Sequence, residues 1–148
     1  MYGDVEKILH DNTYATISTV DTEGRPWAAP VWYVRDKDMN LYWCSPLSSQ
    51  HSKNIESNAD VYITIFNSVA NEGDGVGLYF RALASEIEES EIDTVMSLYN
   101  ESTQTFKLNK SNCSGLAPTR LYKATPSELW INRGKQNGNY YEDFREKL

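Results

Sequence analysis

The sequence predicts a mainly β fold with peripheral α-helices, arranged as a largely antiparallel β-barrel. Three observations carry this. Runs rich in β-branched and aromatic residues recur at strand length from Tyr14 to Asn132, turn clusters short enough for hairpins join several of them, and only two or three helical patterns intervene. With 148 residues, no internal repeat and no linker, the chain reads as one domain, residues 1–148, large enough to bury a core.

Val5, Ile8 and Leu9 follow Asp4 at helical spacing and predict a short amphipathic helix ending near His10. Tyr14 to Val20 is a β-branched strand, Asp21 to Gly24 a turn, and Arg25 to Arg35 a second strand closing a hairpin. Pro26 and Pro30 cannot donate to a ladder, so that strand is expected at an edge, a bulge or a bend. Asp36 to Asn40 turns the chain into a third strand, Leu41 to Cys44; a helix is expected over Gln50 to Ser57 and a fourth strand over Asp60 to Phe66. Gly75 to Ile87 reads as a long strand, and its glycines precede the strand instead of opening a helix, which rejects a dinucleotide fingerprint. Glu88 to Tyr99 places Ile92, Val95, Met96 and Tyr99 on one helical face. Asn100 to Pro118 has no periodicity, with Phe106 and Leu108 as possible anchors. Thr119 to Ala124 and Glu128 to Asn132 read as two short strands parted by Thr125-Pro126-Ser127, and the tail from Arg133 as a loose terminus or an arm over a partner.

The segment from Leu41 to Val61 is the most informative. From Met39 to Ile55 there is no acid, in a chain of net charge −7, and Ser45, Ser48, Ser49, His51, Ser52 and Lys53 fall within it. Ser49 is a suitable N-cap for the following helix, whose first N–H groups have no partner in the helix and favour an anion. Serine hydroxyls, Lys53 and His51 would add hydrogen bonds to a phosphate. A solvated turn before an ordinary surface helix has the same composition, and the residues alone leave both readings open. Trp32, Tyr33, Tyr42 and Trp43 lie in the two strands nearest this segment, where a planar aromatic ligand would find suitable neighbours.

The acidic balance, pI near 4.8, argues against nucleic-acid binding. No apolar run approaches the roughly 20 residues that span a bilayer, and the first residues lack a secretory layout, so a cytoplasmic location is expected. Cys44 and Cys113 are expected as free thiols, and with His10 and His51 they show no metal-ligand spacing. No catalytic residue can be assigned, since no nucleophile stands at a supporting distance from an acid–base pair.

The order of these pieces resembles the pyridoxamine 5′-phosphate oxidase-like flavoproteins, of the general stress or flavin-nucleotide-binding type. The matching runs are ATISTVDTEGRPWAAPVWYV, LYWCSPLSSQHSKNIESNADVYITIF, GLYFRALASEI and LYKATPSELWIN, and S-x-H-S-K-N-I is the most distinctive motif. The resemblance implies an FMN-binding split antiparallel β-barrel and a homodimer with FMN at the subunit interface. It also implies that Ser45, Ser49, Gln50, His51, Ser52 and Lys53 grip the phosphate, that Pro30, Val31, Trp32 and Tyr33 lie along the flavin ring, and that Trp130 approaches it from the second subunit or packs in the core. The implied function is an oxidoreductase passing hydride or electrons between a reduced nicotinamide or another small substrate and an acceptor. Alternatives on the same barrel are a flavin or haem carrier or sensor, with His10 or His51 as axial ligand, and a deazaflavin-dependent reductase. The oxidases themselves carry an arginine where this chain has Ala29, an arginine-lysine pair where it has Gln50-His51, and basic substrate residues that its tail lacks. Oxidation of pyridoxamine phosphate is therefore not expected.

Overall fold

In the computed structural model, which describes residues 2–103 and 105–148, the expected opening hairpin forms as β1 (Tyr14–Val20) and β2 (Pro26–Trp32), antiparallel and joined through Gly24 at φ 79°. That backbone angle is one that glycine adopts without steric cost. The expected strand from Arg25 to Arg35 is broken at Tyr33, where β3 (Val34–Arg35) begins. The break has a topological reason. Sheet order is β2-β1-β5-β6-β7-β4-β3, so β2 lies at one end of the sheet and β3 at the other, and only Tyr33 separates them in sequence. One residue thus closes the sheet into a barrel. Tyr33 is buried, and its hydroxyl donates to the carbonyl of Asn12 at 3.0 Å, tying α1 (Tyr2–Asp11) to the closure point. Pro26 and Pro30 lie on the free side of the ladder, as expected of an edge.

Next come β4 (Leu41–Pro46), α2 (Gln50–Ser57), β5 (Asp60–Phe66) and β6 (Gly77–Glu86). A turn of 3-10 helix at Glu89–Glu91 leads into α3 (Ile92–Ser102). Alternation explains the core: Ala15, Ile17, Ile63, Ile65, Leu78, Phe80, Trp43 and Ile131 point into the barrel. A second cluster places Ile92 and Val95 of α3 against Val34, Tyr42 and Leu121 outside it.

Three expectations are corrected. Thr119 to Ala124 and Glu128 to Asn132 are not separate strands but parts of β7 (Thr119–Asn137). Thr125-Pro126-Ser127 is absorbed as a bulge, because the register with β6 shifts between Arg81 and Ala82. Pro126 also falls where β7 has β6 on one side only, since pairing with β4 ends at Ala124 and pairing with β8 (Tyr140–Lys147) begins at Trp130. The tail is not a loose terminus: β8 pairs with β7 from Asn137 back to Trp130, around Gly138 at φ 59°. Finally, Phe106 is no anchor, being 60% exposed, whereas Leu108 is buried and held by Asn100, whose side-chain amide bonds its N–H and its carbonyl, each at 2.7 Å. Both cysteines are free, and among the described residues no helix is long and apolar enough to cross a membrane and no cluster of three or more His, Cys, Asp or Glu is placed to hold a metal.

Candidate functional site

Among the described residues the buried polar side chains are Thr19, Ser45, His51, Ser52 and Asn54. Four of them lie at the end of β4 or on α2, and the fifth lies on β1, against which α2 packs. A barrel that keeps its other interior positions apolar has therefore gathered its buried polarity at one corner, at a desolvation cost that hydrogen bonds must offset.

The local sequence builds this corner. Ser49 caps α2, its hydroxyl oxygen accepting the N–H of Ser52 at 3.4 Å and donating to the carbonyl of Pro46 at 2.9 Å. Ser49 Oγ also lies 2.8 Å from Ser52 Oγ and 3.3 Å from His51 Nε2. His51 Nε2 is 2.8 Å from Ser45 Oγ. Burial pushes the His51 pKa below its ordinary value, so the ring is neutral at pH 7 and works as a hydrogen-bonding group, not as a cation. One turn further, Asn54 donates to Thr19 Oγ1 at 2.9 Å and receives the side-chain N–H of Gln50 at 2.7 Å. Lys53 is exposed and forms no ion pair among the described residues. Lys53, one helical turn after the Ser49 cap, is therefore an uncommitted cation on the exposed side of α2.

The sequence-derived residues fall into separate groups. Ser45, Ser49, His51 and Ser52 come together; Gln50 turns back along the helix to Asn54. On β2, Pro30 is exposed, Val31 is in the core, and Trp32 is half-buried with its ring edge-on to Tyr99, centroids 4.8 Å apart. Tyr33 spends its hydroxyl on the carbonyls of Leu9 and Asn12 and its backbone N–H on the carbonyl of Thr13 at 3.2 Å. Trp32 and Tyr33 line a cavity of about 560 Å³, and Ser52 lines another of about 430 Å³ with Tyr122 and the carboxylates Glu56 and Glu86, the latter paired with Arg120. Trp130 is not in the core: it is half-buried on the outer sheet face, its ring 6.3 Å from that of Tyr62.

Sequence reading missed Thr19, Asn54 and Arg120. Asn54 sits within the quoted motif, but its role shows only through a partner 35 residues away. Arg120 lies directly across the ladder from Ser45, yet Glu86 at 2.9 Å and the carbonyls of Gly115, Ala117 and Thr119 already engage its guanidinium. No local pattern announces a residue that arrives through strand pairing.

The donor set fits a phosphate monoester. It offers three serine hydroxyls, the free N–H groups at the start of α2 and one exposed ammonium, with no carboxylate between Met39 and Ile55.

Comparison with known proteins places this architecture. The haem storage protein HutZ from Vibrio cholerae superposes with a TM-score of 0.73 at 21% identity, over 87% of this chain and 92% of that one. A haem-binding protein from Mycobacterium smegmatis gives 0.68 at 14% identity, over 93% of this chain and 55% of that one. An FAD-binding protein from Mesorhizobium loti gives 0.64 at 14% identity, over 88% and 93%. At these identities the likeness is one of fold, and it shows the split barrel in flavin-binding and haem-binding proteins alike. No curated protein matches the sequence. The family model described as pyridoxamine 5′-phosphate oxidase matches residues 2–132, nearly the whole barrel, and on that match the chain belongs to the pyridoxamine 5′-phosphate oxidase family.

Proposed function

We propose that the chain is an FMN-binding flavoprotein, acting as a homodimer and passing hydride or electrons between a reduced nicotinamide or another small substrate and an acceptor. The observation that carries this reading is the concentration of buried polar residues where β4 hands over to α2, in an acid-free stretch of an acidic protein. Bound FMN would supply the redox chemistry, leaving the protein to hold and orient it. Ser45, Ser49, Ser52 and Lys53 would receive the phosphate, with hydrogen bonds to the charged group contributing about 1.5–3 kcal/mol each. His51, neutral and fixed by Ser45, would position that hydroxyl. Pro30, Val31, Trp32 and Tyr33 would present backbone to the ring, and Trp130 of a second copy would approach it from the other side.

The homodimer draws support from the outer face of β2, β1 and β5. Register and alternation place Pro30, Thr16, Thr64, Ala28, Ser18 and Tyr62 side by side there, and none carries a charge. Six adjacent uncharged residues, with Asp60 as the one charge of β5 on that face, in a chain with 24% charged residues, suit contact with another copy. Haem carriage is the second reading, favoured by the HutZ likeness. His10, with its side chain 87% exposed, keeps Nε2 open for it while Nδ1 lies 3.0 Å from Asp11 Oδ1, whereas His51 Nε2 is engaged by Ser45.

The test is spectral and kinetic. Purified protein incubated with FMN is expected to turn yellow and to oxidise a reduced nicotinamide steadily. A preparation that binds FMN without turnover would reduce the proposal to a carrier. One that takes up haem and refuses FMN would replace it.

A further inference from the structure

One end of the barrel carries a cavity that the phosphate corner leaves unused. It measures about 360 Å³ and lies between α1, the turn over residues 36–40 and the paired Leu129 and Leu148, where the Leu148 N–H donates to the Leu129 carbonyl at 2.9 Å. Val5, Met39, Leu129 and Leu148 form an aliphatic wall, and among the described residues no aromatic ring lines it. Val5 belongs to the barrel core, and Met39 and Leu129 pack against that core.

The side-chain charges at this cavity do not cancel. Arg35 Nη2 donates to Glu6 Oε2 at 2.5 Å, so those two neutralise each other. Lys37, exposed on the turn, lines the cavity and forms no ion pair among the described residues. The turn that presents it is held firmly. The Asp36 carboxylate accepts the N–H groups of Asp38 and Asn40 at 2.9 and 3.0 Å, the Asn40 side-chain amide at 2.8 Å and the Tyr42 hydroxyl at 2.9 Å. Those four bonds keep Met39 at φ 66°, a left-handed angle that side-chain-bearing residues rarely adopt, and fix it as part of the cavity wall. Asp36 is spent on the turn, and neither it nor Asp38 lines the cavity.

From this arrangement we infer that the barrel end binds an aliphatic monocarboxylate of medium chain length. The methylene chain lies against Val5, Met39, Leu129 and Leu148, and Lys37 receives the carboxylate as a point charge. A wall without rings suits a flexible hydrocarbon better than a flat heterocycle. A volume of about 360 Å³ falls at the small end of ligand sites, which favours a medium chain over a long one. None of Ser45, Ser49, His51, Ser52 or Lys53 lines the cavity, so the site does not depend on the flavin reading.

Calorimetric titration of the purified protein with octanoate, butyrate and octan-1-ol tests it. Octanoate is expected to bind saturably, butyrate at least about tenfold more weakly because it buries fewer methylenes, and octan-1-ol about tenfold more weakly because it lacks the charge. Lys37→Ala is expected to bring octanoate down to the level of octan-1-ol with an unchanged circular dichroism spectrum. Leu148→Ala, at a partly exposed position, is expected to weaken octanoate and octan-1-ol alike by several fold. Lys53→Ala is expected to leave octanoate affinity alone. The inference is overturned if octanoate does not bind, if butyrate binds as tightly, or if the octanoate preference over octan-1-ol survives Lys37→Ala. Equal weakening of octanoate in Lys53→Ala would also overturn it, since the anion would then be held at the α2 corner.

Discussion

The two polar neighbourhoods of this molecule are built on opposite plans. At the α2 corner, burial has turned Ser45, Ser49, His51, Ser52 and Asn54 toward one another, so that nearly every donor has a partner inside the protein. On the outer face of β5 to β8, aromatic rings fix Arg145 in the open, without neutralising it. The difference teaches what each can do for a ligand. A phosphate at the corner exchanges existing hydrogen bonds for charge-assisted ones, so selectivity rests on shape and on Lys53. On the outer face Arg145 is held in place by the Tyr79 ring and the Tyr62 hydroxyl with its charge uncompensated among the described residues.

Lys53→Ala presses hardest on this contrast. It is expected to lower FMN affinity by about 1.5–3 kcal/mol, roughly tenfold to a hundredfold, by fluorescence titration, with stability unchanged within about 0.5 kcal/mol. Unaltered affinity would remove Lys53 from the grip. Asn54→Ala strikes the internal network instead, stranding Thr19 and Gln50, and urea denaturation is expected to show a loss of about 1–3 kcal/mol. A negligible loss would mean that the buried network contributes little.

Acidity offers a subtler probe. The folded pKa of His51 lies below its unfolded value of about 6.5, so the unfolded chain takes up the proton first. The stability that His51 contributes is full above about pH 6.5 and declines as pH falls toward the folded pKa. Carboxylates held low, such as Asp21 beside the Arg25 backbone N–H, act only in the more acid range. Thermal melts across that interval should flatten in His51→Gln; an identical slope in both proteins would refute the assignment. The smallest effect is expected from Arg145→Ala, an exposed residue resting on half-buried rings: a change in stability below about 1 kcal/mol by the same denaturation. A larger loss would mean that Arg145 clamps β8 to the rings of Tyr62 and Tyr79.

The first half of the fold was legible because its signals are local. β1, α2 and β5 begin and end where β-branching, the Ser49 cap and alternation place them. The second half depends on pairing that sequence does not display. Pro126 suggests a strand break, but the bulge opposite Arg81 and Ala82 absorbs it, and Asn137-Gly138 is a hairpin signal obscured by flanking strands that are polar on both faces. For the candidate site, the serines and His51 could be read from one run of sequence. Thr19, Arg120 and the Tyr62–Arg145 contact could not, because each depends on a neighbour brought in from a distant strand.

The central claim is that the corner between β4 and α2 recognises the phosphate end of a flavin nucleotide, and titration of the purified protein with FMN and with riboflavin, side by side, tests it most directly. The account predicts tight FMN binding and riboflavin binding weaker by at least about tenfold, with the gap narrowing in Lys53→Ala. Equal affinity for the two flavins, or no affinity for either, would contradict it.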